Sequence, residues 1–403
     1  MSEAWAGERF AEFCRTYGGE KVRPLAATTV LDRDRLDRIR EAIPLILLAQ
    51  RRILARLLQV EGPRGVLELF GVPVALQPWV SVLRDPSADS QPIMRADVIL
   101  DQSGRPWICE LNIDSTIGLA EVAELGRLDE LATGRPRQPT PYQQLAVLAG
   151  SLLAASGGNR ICLLDWSSWA GFGMFDLEWM RRSLEANLPG VSVFLATEKD
   201  GLDNIDAKTV VYRCFMAEDA MADLDFVGGL FERAGLVLTD FSSELLGSKV
   251  WLAILQQSQY QSLLDEPMRA AIAASIPETV QVRSDNLAGL LGRRAELFFK
   301  SACDFGGRGV ISGARATEAE LTDAIEQSPP GTWIAQRLID PLRISIRSCG
   351  DEAAIPARHV LGLYRYAAEW AGVLVRANPD SDVINALGGS RVGWGHEVAG
   401  ELR

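Results

Sequence analysis

The sequence predicts a protein of the α/β class with α+β regions, and three patterns favour this fold class. Short apolar runs alternate with helical patterns between residues 141 and 244, which is typical of parallel strands joined by crossover helices in a doubly wound sheet. A strand–turn–strand pattern covers residues 92–112, and a glycine-rich loop follows an apolar strand that ends at Lys300. The chain has 403 residues, which is enough for two or three packed domains.

A long amphipathic helix is the first element that the pattern predicts. It is predicted over residues 31–60, since apolar residues recur at helical spacing from residue 36 to residue 57 and Asp32 lies where the helix would begin. Pro44 lies inside this pattern, and we expect it to kink or divide the helix because its ring removes a backbone hydrogen bond. A further helix is predicted from about Gly118 to Leu131. With the hairpin between them, these elements form a first predicted domain, residues 1–140.

The hairpin at residues 92–112 carries polar side chains that would meet if its strands pair. Arg95 and Asp97 share one face of the first strand, and Glu110 and Asn112 share one face of the second, because side chains two residues apart point the same way. Two carboxylates and an amide oxygen then converge beside an arginine, and such oxygen ligands suit magnesium. The alternative is a polar hairpin that faces solvent.

Residues 141–244 form the second predicted domain, a Rossmann-like substrate domain. Its predicted strands are Ile161–Leu164, Val191–Ala196, Thr209–Arg213 and Gly235–Asp240. No Gly-x-Gly-x-x-Gly pattern follows the first strand, so the sequence does not predict a dinucleotide site there. The aromatic loop 165–173 follows that strand. It either shapes a substrate pocket, since ligands bind at such strand ends, or places core aromatics beside a turn.

The third predicted domain, residues 245–403, contains the glycine loop. Lys300 ends an apolar strand, and Gly306, Gly307 and Gly309 follow it. Glycines let a backbone approach phosphates closely and present N–H groups to them, while a lysine adds a positive charge for the phosphate oxygens. The alternative is a glycine-rich hairpin turn beside a solvated lysine.

Three more polar residues lie at positions that fit a nucleotide site. Lys249 falls inside a helix predicted over Leu246–Gln256. Gln336 follows the apolar residues 333–335 in a strand predicted over Trp333–Arg337, and Arg376 ends an apolar strand. Considered separately, each has an ordinary alternative: a solvated lysine, a glutamine without function and a structural salt bridge.

Composition and charge exclude several classes of function. The formal net charge is -12, which argues against non-specific binding to nucleic acid or to anionic membranes. None of the six cysteines forms a Cys-x-x-Cys pair, so we expect reduced thiols and a cytoplasmic protein. His359 and His396 are the only histidines, too few for a histidine-built zinc site. The first residues show no stretch of signal-peptide type.

These motifs, taken in their order along the chain, resemble the ATP-grasp superfamily, in particular the circularly permuted branch that includes the synthetase domain of glutathionylspermidine synthase. In the usual order the Glu-x-Asn element comes last, whereas here it comes first. The matching pieces are Arg95-Ala-Asp97, Cys109-Glu110-Leu-Asn112-Ile-Asp114-Ser115-Thr116, Leu245-Leu-Gly-Ser248-Lys249, Phe299-Lys300 with Asp304-Phe-Gly306-Gly307-Arg-Gly309-Val310, and Trp333-Ile-Ala-Gln336. The family loop often begins with Lys-Pro, and here it begins with Lys-Ser and a longer spacer.

The resemblance implies a role for each of these residues. Magnesium would be held by Asp97, Glu110 and Asn112. Lys249 and Lys300 would contact the phosphates of ATP, with the loop Gly306, Gly307 and Gly309 closing over them and Gln336 beside the base. Arg95, Arg376 and Lys300 would act in catalysis, the arginines on the transferring phosphoryl group or the tetrahedral intermediate. The glycine loop and residues 380–389 are candidate lids.

The implied activity is that of a carboxylate–amine ligase that uses ATP and Mg²⁺. It would form an amide or peptide bond through an acyl phosphate, release ADP and phosphate, and act on an amino acid or peptide in specialised biosynthesis. Because the amidase domain of some relatives is missing, we expect synthesis only. Two alternatives stay open: transfer to the thiol of a carrier protein, and a nucleotide-binding protein without catalysis. No nucleic-acid or membrane partner is expected.

Overall fold

Three β-sheets organise the computed structural model of this chain. The structure describes residues 23–25, 29–86, 93–113, 126–127, 130, 134, 141–169, 174–302, 304, 307, 309–347, 353–384 and 389–399. The predicted helix at 118–131 lies largely outside these residues, and Gly306 lies outside them as well.

The described strands are β1 (Arg23–Pro24), β2 (Thr29–Asp32), β3 (Ile93–Leu100), β4 (Pro106–Asn112), β5 (Arg160–Asp165), β6 (Ser192–Thr197), β7 (Thr209–Arg213), β8 (Leu236–Leu238), β9 (Thr279–Gln281), β10 (Leu297–Ser301), β11 (Val310–Ser312), β12 (Trp333–Arg337), β13 (Ile344–Ile346), β14 (Ile355–Tyr366), β15 (Glu369–Asn378) and β16 (Arg391–Val398).

The described helices are α1 (Arg33–Phe70), α2 (Pro141–Ser156), α3 (Met174–Asn187), α4 (Ala217–Ala220), α5 (Leu224–Arg233), α6 (Ser242–Leu246), α7 (Val250–Ile254), α8 (Glu266–Ser275), α9 (Leu287–Gly292) and α10 (Glu318–Glu326). None of the helices in the described part of the chain combines the length and apolar character that crossing a bilayer requires.

The largest sheet has eight strands and contains the predicted hairpin. Its main order is β1-β16-β15-β14-β3-β4, with β13 also paired to β14 and β2 to β16. Strands β3 and β4 pair antiparallel, which confirms the hairpin. Gly104 has a φ of 80° in the turn, a conformation that favours glycine. Asp101 accepts hydrogen bonds from the backbone N–H groups of Ser103 and Arg105 and so closes the turn.

Two four-stranded sheets complete the fold. One has the order β6-β5-β7-β8 with every neighbouring pair parallel, as the alternating pattern predicts. The other has the order β11-β10-β12-β9 with every pair antiparallel, and it contains the strand that ends at Lys300. The chain is therefore a mixed α/β protein with several sheets. The Rossmann-like designation and the three domain boundaries stay predictions.

The first helix differs from its prediction in length and in the position of its break. Helix α1 continues through Pro44, and its one non-helical residue is Gly62, with φ 69° and ψ 172°. Gly62 precedes Pro63, and proline disfavours the helical conformation in the residue before it. Around Pro44 the apolar face is fully buried, since Ile43 and Ile46 are both 0% exposed. Tertiary packing there outweighs the lost backbone hydrogen bond.

The single helix predicted over Leu246–Gln256 is wrong. The chain forms two short helices, α6 and α7, separated by Gly247, Ser248 and Lys249. Gly247 lies close to the end of β4, because a Cβ on this glycine would lie 3.2 Å from the backbone nitrogen of Ile113. The break therefore brings Lys249 up to the hairpin strand that contains Glu110.

A buried imidazole makes the stability of the fold depend on pH. His359 on β14 is 0% exposed, and burial lowers the pKa of its ring to about 4. In the unfolded chain this group takes up its proton near pH ~6.5. Between these two values the unfolded state binds more protons, so this contribution to stability is complete above the unfolded pKa and is lost as the pH falls.

We expect the unfolding free energy of the wild type to fall by about 2 kcal/mol between pH 7 and pH 5 through His359 alone. The variant His359→Leu should lose that part of the slope, because leucine binds no proton. Denaturant unfolding of both proteins at the two pH values measures how far each unfolding free energy falls. The difference between the two proteins at pH 7 gives the effect of altered packing, which is then subtracted. Equal slopes would contradict the assignment to His359.

Candidate active site

The polar residues of the hairpin face one another across β3 and β4. In the register of the two strands, Asp97 lies opposite Glu110 and Arg95 lies opposite Asn112. Side chains of directly opposed residues project from the same face of a sheet, so all four share one face. The amide nitrogen of Asn112 also donates to the carbonyl oxygen of Arg95 at 3.4 Å. The predicted convergence of two carboxylates and an amide is present.

Asp97 is held by two arginines from different strands. Its Oδ1 lies 2.7 Å from Nε of Arg95 and 2.7 Å from Nη2 of Arg376, and its Oδ2 accepts from Nη2 of Arg95 at 3.1 Å. Burial alone would raise the pKa of Asp97, but the guanidinium groups of Arg376 and Arg95 hold it well below its ordinary value. The carboxylate is therefore charged at neutral pH.

A glycine on β14 makes room for this cluster. Gly362 lies opposite Asp97 in the sheet, and a Cβ built on it would lie 2.8 Å from Cδ of Arg95. Any larger residue would push the Arg95 side chain away from its carboxylate.

Arg376 keeps one buried donor free for a ligand. The residue is 7% exposed, and its Nε has no hydrogen-bond partner among the described residues. A buried N–H without a partner costs free energy, so such groups commonly mark a place where an unseen partner binds. For a guanidinium the fitting partner is an anion.

Lys249 connects the hairpin to the glycine loop. Its Nζ lies 3.0 Å from Oε1 of Glu110 and donates to the backbone carbonyl of Asp304 at 2.8 Å. The residue is 7% exposed, so the solvated-lysine alternative is wrong. One ammonium thus contacts a predicted metal ligand and the predicted phosphate loop.

Lys300 is also buried and points back towards the hairpin. Its Nζ donates to Oε1 of Gln336 at 2.6 Å and to the carbonyl oxygen of Cys109 at 3.1 Å. Burial lowers the pKa of Lys300, while the negative charge of Glu110 acts in the opposite direction. Cys109 directly precedes Glu110, so Lys300 lies against the same stretch of β4 that Lys249 approaches. The alternative of a solvated lysine is therefore wrong here too.

The glycine loop connects two antiparallel strands. Lys300 on β10 pairs with Val310 on β11, so the loop is the turn of a hairpin. Gly307 and Gly309 have φ values of 79° and 62°, which favour glycine. A Cβ on Gly309 would also lie 2.8 Å from Cβ of Ser301. The hairpin alternative thus describes the connection correctly, and phosphate binding by its glycines stays a prediction.

Gln336 has both polar atoms of its side chain engaged inside the sheet. Oε1 accepts from Lys300, and Nε2 donates to Oγ1 of Thr279 at 3.1 Å. The residue is 3% exposed. A contact between this residue and a nucleotide base stays a prediction.

Most of the predicted site residues therefore meet in one place. Among the described residues, four cationic side chains lie around two carboxylates, with Asp304 beside them in the glycine loop: Arg95, Arg376, Lys249 and Lys300 with Asp97 and Glu110. Sequence reasoning missed Thr279 and the carbonyl groups of Cys109 and Asp304. Backbone carbonyls and a short three-residue strand leave no recognisable signal in a single sequence.

The carboxyl end of the parallel sheet is packed with aromatic side chains. Trp166, directly after β5, contacts Phe215 and Phe226, with ring centroids 5.2 and 5.8 Å apart respectively. For Trp166 the core alternative is correct. Residues 170–173 of the same loop lie outside the described residues, so the pocket alternative stays a prediction for them.

No family model matches the sequence, and a search of curated proteins gives no match. Among solved structures, the chain is similar to a glutathione synthetase-like effector from Globodera pallida in its apo form, with a TM-score of 0.61 and 13% identity over 94% of this chain and 90% of that one. A candidate γ-glutamylcysteine synthetase from Methylobacillus flagellatus gives a TM-score of 0.41 and 12% identity over 86% of this chain and 85% of that one. This TM-score is too low to support an argument. The first likeness shows a shared fold.

Proposed function

We propose that this chain is an ATP-dependent ligase that joins a carboxylate to an amine through an acyl phosphate. The observation that supports this most strongly is the group of four cationic side chains around Asp97 and Glu110, directly beside a glycine hairpin. Such a site suits a polyphosphate bound with a divalent cation. The fold shared with a glutathione synthetase-like protein is consistent with the same activity.

The donor set fits magnesium when a nucleotide is also present. Among the described residues, no group of three or more His, Cys, Asp or Glu side chains could hold a metal ion. Magnesium usually takes one or two carboxylates and completes its shell with water and substrate phosphates. Glu110 and Asn112 offer oxygen atoms with open positions, whereas both oxygens of Asp97 already contact arginines. Bound there, the metal would offset negative charge on the phosphates.

The proposed reaction has two steps. The substrate carboxylate attacks the γ-phosphorus of ATP, the bond to the bridging oxygen breaks, and ADP leaves. The amine then attacks the acyl carbon, loses a proton and expels phosphate. Lys249 and Lys300 would stabilise the charge on the phosphates, and Arg376 would direct its free Nε to the transferring group or to the tetrahedral intermediate.

Finer features belong to the same proposal. The element with Glu110 precedes the glycine loop in the chain, as a circularly permuted ATP-grasp order requires. We take the substrates to be an amino acid or peptide and a small carboxylic acid, used in specialised biosynthesis. A carrier-protein thiol as acceptor, or nucleotide binding without turnover, are the other outcomes that the experiment below distinguishes.

The test is release of ADP and phosphate from ATP with Mg²⁺ against a panel of amino acids, small carboxylic acids and polyamines. We expect turnover that depends on one carboxylate–amine pair and disappears in Glu110→Ala and in Lys300→Ala. Release of AMP and pyrophosphate would overturn the proposed mechanism. ATP binding without turnover on any pair, including a panel with carrier-protein thiols, would favour the non-catalytic alternative.

A further inference from the structure

Three strands of the antiparallel sheet place Thr279, Gln336 and Lys300 side by side. Gln336 on β12 lies directly opposite Thr279 on β9 and opposite Phe298 on β10. Lys300 is two residues beyond Phe298, so it projects from the same face as Gln336 and lies diagonal to it. The three residues are 4%, 3% and 8% exposed respectively.

The hydrogen bonds among these residues run in one direction. An ammonium group only donates, so the atom of Gln336 that faces Lys300 must be the carbonyl oxygen, at 2.6 Å. The amide nitrogen then donates to Oγ1 of Thr279 at 3.1 Å, and that hydroxyl donates to the carbonyl of Pro277 at 2.8 Å. Each of these side chains accepts a hydrogen bond on the side nearer to Lys300 and donates one on the far side. The chain therefore stabilises a positive charge that burial disfavours.

We propose that Gln336 and Thr279 are positioning residues that fix the ammonium of Lys300 for nucleotide binding. This inference rests on the proposed function, in which Lys300 contacts the phosphates of ATP. Lysine has a flexible four-carbon side chain, and holding it in one rotamer before the ligand arrives lowers the cost of binding. Thr279 contributes by fixing the orientation of the Gln336 amide.

Two neutral acceptors suit this task better than a carboxylate would. A carboxylate at position 336 would neutralise Lys300 and compete with the phosphates for it. The carbonyl oxygens of Gln336 and Cys109 hold two of the three N–H groups without cancelling the charge. Among the described residues no further acceptor is seen for the third N–H, and we assign it to a ligand oxygen.

The first experiment measures the dissociation constant of ATP with Mg²⁺ by titration calorimetry. We expect Thr279→Val to weaken ATP binding about fivefold to tenfold, because the hydroxyl's buried hydrogen bonds to Gln336 and to Pro277 are lost and the amide of Gln336 becomes free to rotate. Thr279→Ser, which keeps the hydroxyl, should restore wild-type affinity. Gln336→Met is a second variant that removes the acceptor itself, and we expect it to weaken binding more than Thr279→Val.

The chain offers a matched control in Thr332. This residue is buried beside the same sheet, and its hydroxyl donates to the carbonyl of Pro329 at 2.6 Å, as Thr279 does to Pro277. Thr332 has no bond to Gln336 or Lys300 among those described. Thr332→Val should therefore leave ATP affinity within about twofold of wild type, since changes away from shared partners act independently. Equal losses from both valine variants would show a general loss of packing and overturn the proposal.

A double-mutant cycle separates positioning from structure. In a Lys300→Met background, Thr279→Val should have no further effect on ATP affinity, because the group that it positions is missing. Additive losses would overturn the proposal even if the protein proved to be a ligase. If Lys300→Met itself left ATP affinity unchanged, Lys300 would not contact the nucleotide and the positioning role would be wrong. The ligase activity would still be tested separately, by the release of ADP and phosphate.

Discussion

Glu110→Gln is expected to lower ATP-dependent turnover by at least about 10³-fold, because it removes the carboxylate of Glu110, which is more exposed than that of Asp97. The side chain is 26% exposed and pairs with Lys249 at 3.0 Å. Glutamine keeps its size and one oxygen, so the fold should survive while the negative charge is lost. Steady-state release of ADP at several magnesium concentrations measures the effect, and we expect half-saturation to need more magnesium.

Glu178 on α3 provides the matched control for this experiment. It is 31% exposed and pairs with Arg181 at 2.8 Å, so its environment resembles that of Glu110, but it lies outside the site. Glu178→Gln should retain turnover within about twofold, since a surface ion pair contributes little to stability. Turnover of Glu110→Gln within threefold of wild type at low magnesium would exclude Glu110 as a metal ligand.

Asp97→Asn should destabilise the fold by about 3–5 kcal/mol, since it leaves two buried guanidinium groups without their carboxylate. Arg95 and Arg376 both contact Asp97 at 2.7 Å, and the carboxylate itself is 6% exposed. An asparagine can keep its oxygen at the position of Oδ1, where it faces both arginines, but the negative charge is lost and its amide N–H₂ then faces Nη2 of Arg95. Denaturant unfolding at pH 7 measures the loss.

A second substitution tests whether the charge is the cause. In an Arg376→Met background one of the two cations is missing, so Asp97→Asn should cost less than it does alone. If the two losses were additive, the ion pair between Asp97 and Arg376 would make no contribution to stability. The same two variants also test the site, since Arg376→Met should abolish turnover while Asp97 keeps its partner Arg95.

Local sequence patterns were sufficient to predict the hairpin and the strands of the parallel sheet. The turn at Gly104 and the alternation on each side depend on neighbouring residues, and the two-residue period is enough to place Asp97 and Glu110 on chosen faces. The strand Trp333–Arg337 was predicted with its observed bounds for the same reason. These elements did not require knowledge of what they pack against.

Other features depend on contacts between distant parts of the chain. The helix break before Lys249 depends on the approach of Gly247 to Ile113, and the continuity of α1 depends on packing around Pro44. The role of Gln336 follows from a pairing of β12 with β9 and β10 that no local pattern contains. Thr279, which meets Gln336 only through this register, was accordingly missed by the sequence.

Lys249 links the occupancy of one part of the site to the conformation of another. Its ammonium contacts both Glu110 and the carbonyl of Asp304. A metal ion that replaced Lys249 as the partner of Glu110 would therefore also alter the hydrogen bond between Lys249 and the glycine hairpin. Thermodynamic linkage makes this effect reciprocal. The factor by which closure of the hairpin changes the metal affinity must equal the factor by which bound metal changes the closing equilibrium. Metal titrations and hairpin protection from hydrogen exchange should therefore report one shared coupling constant.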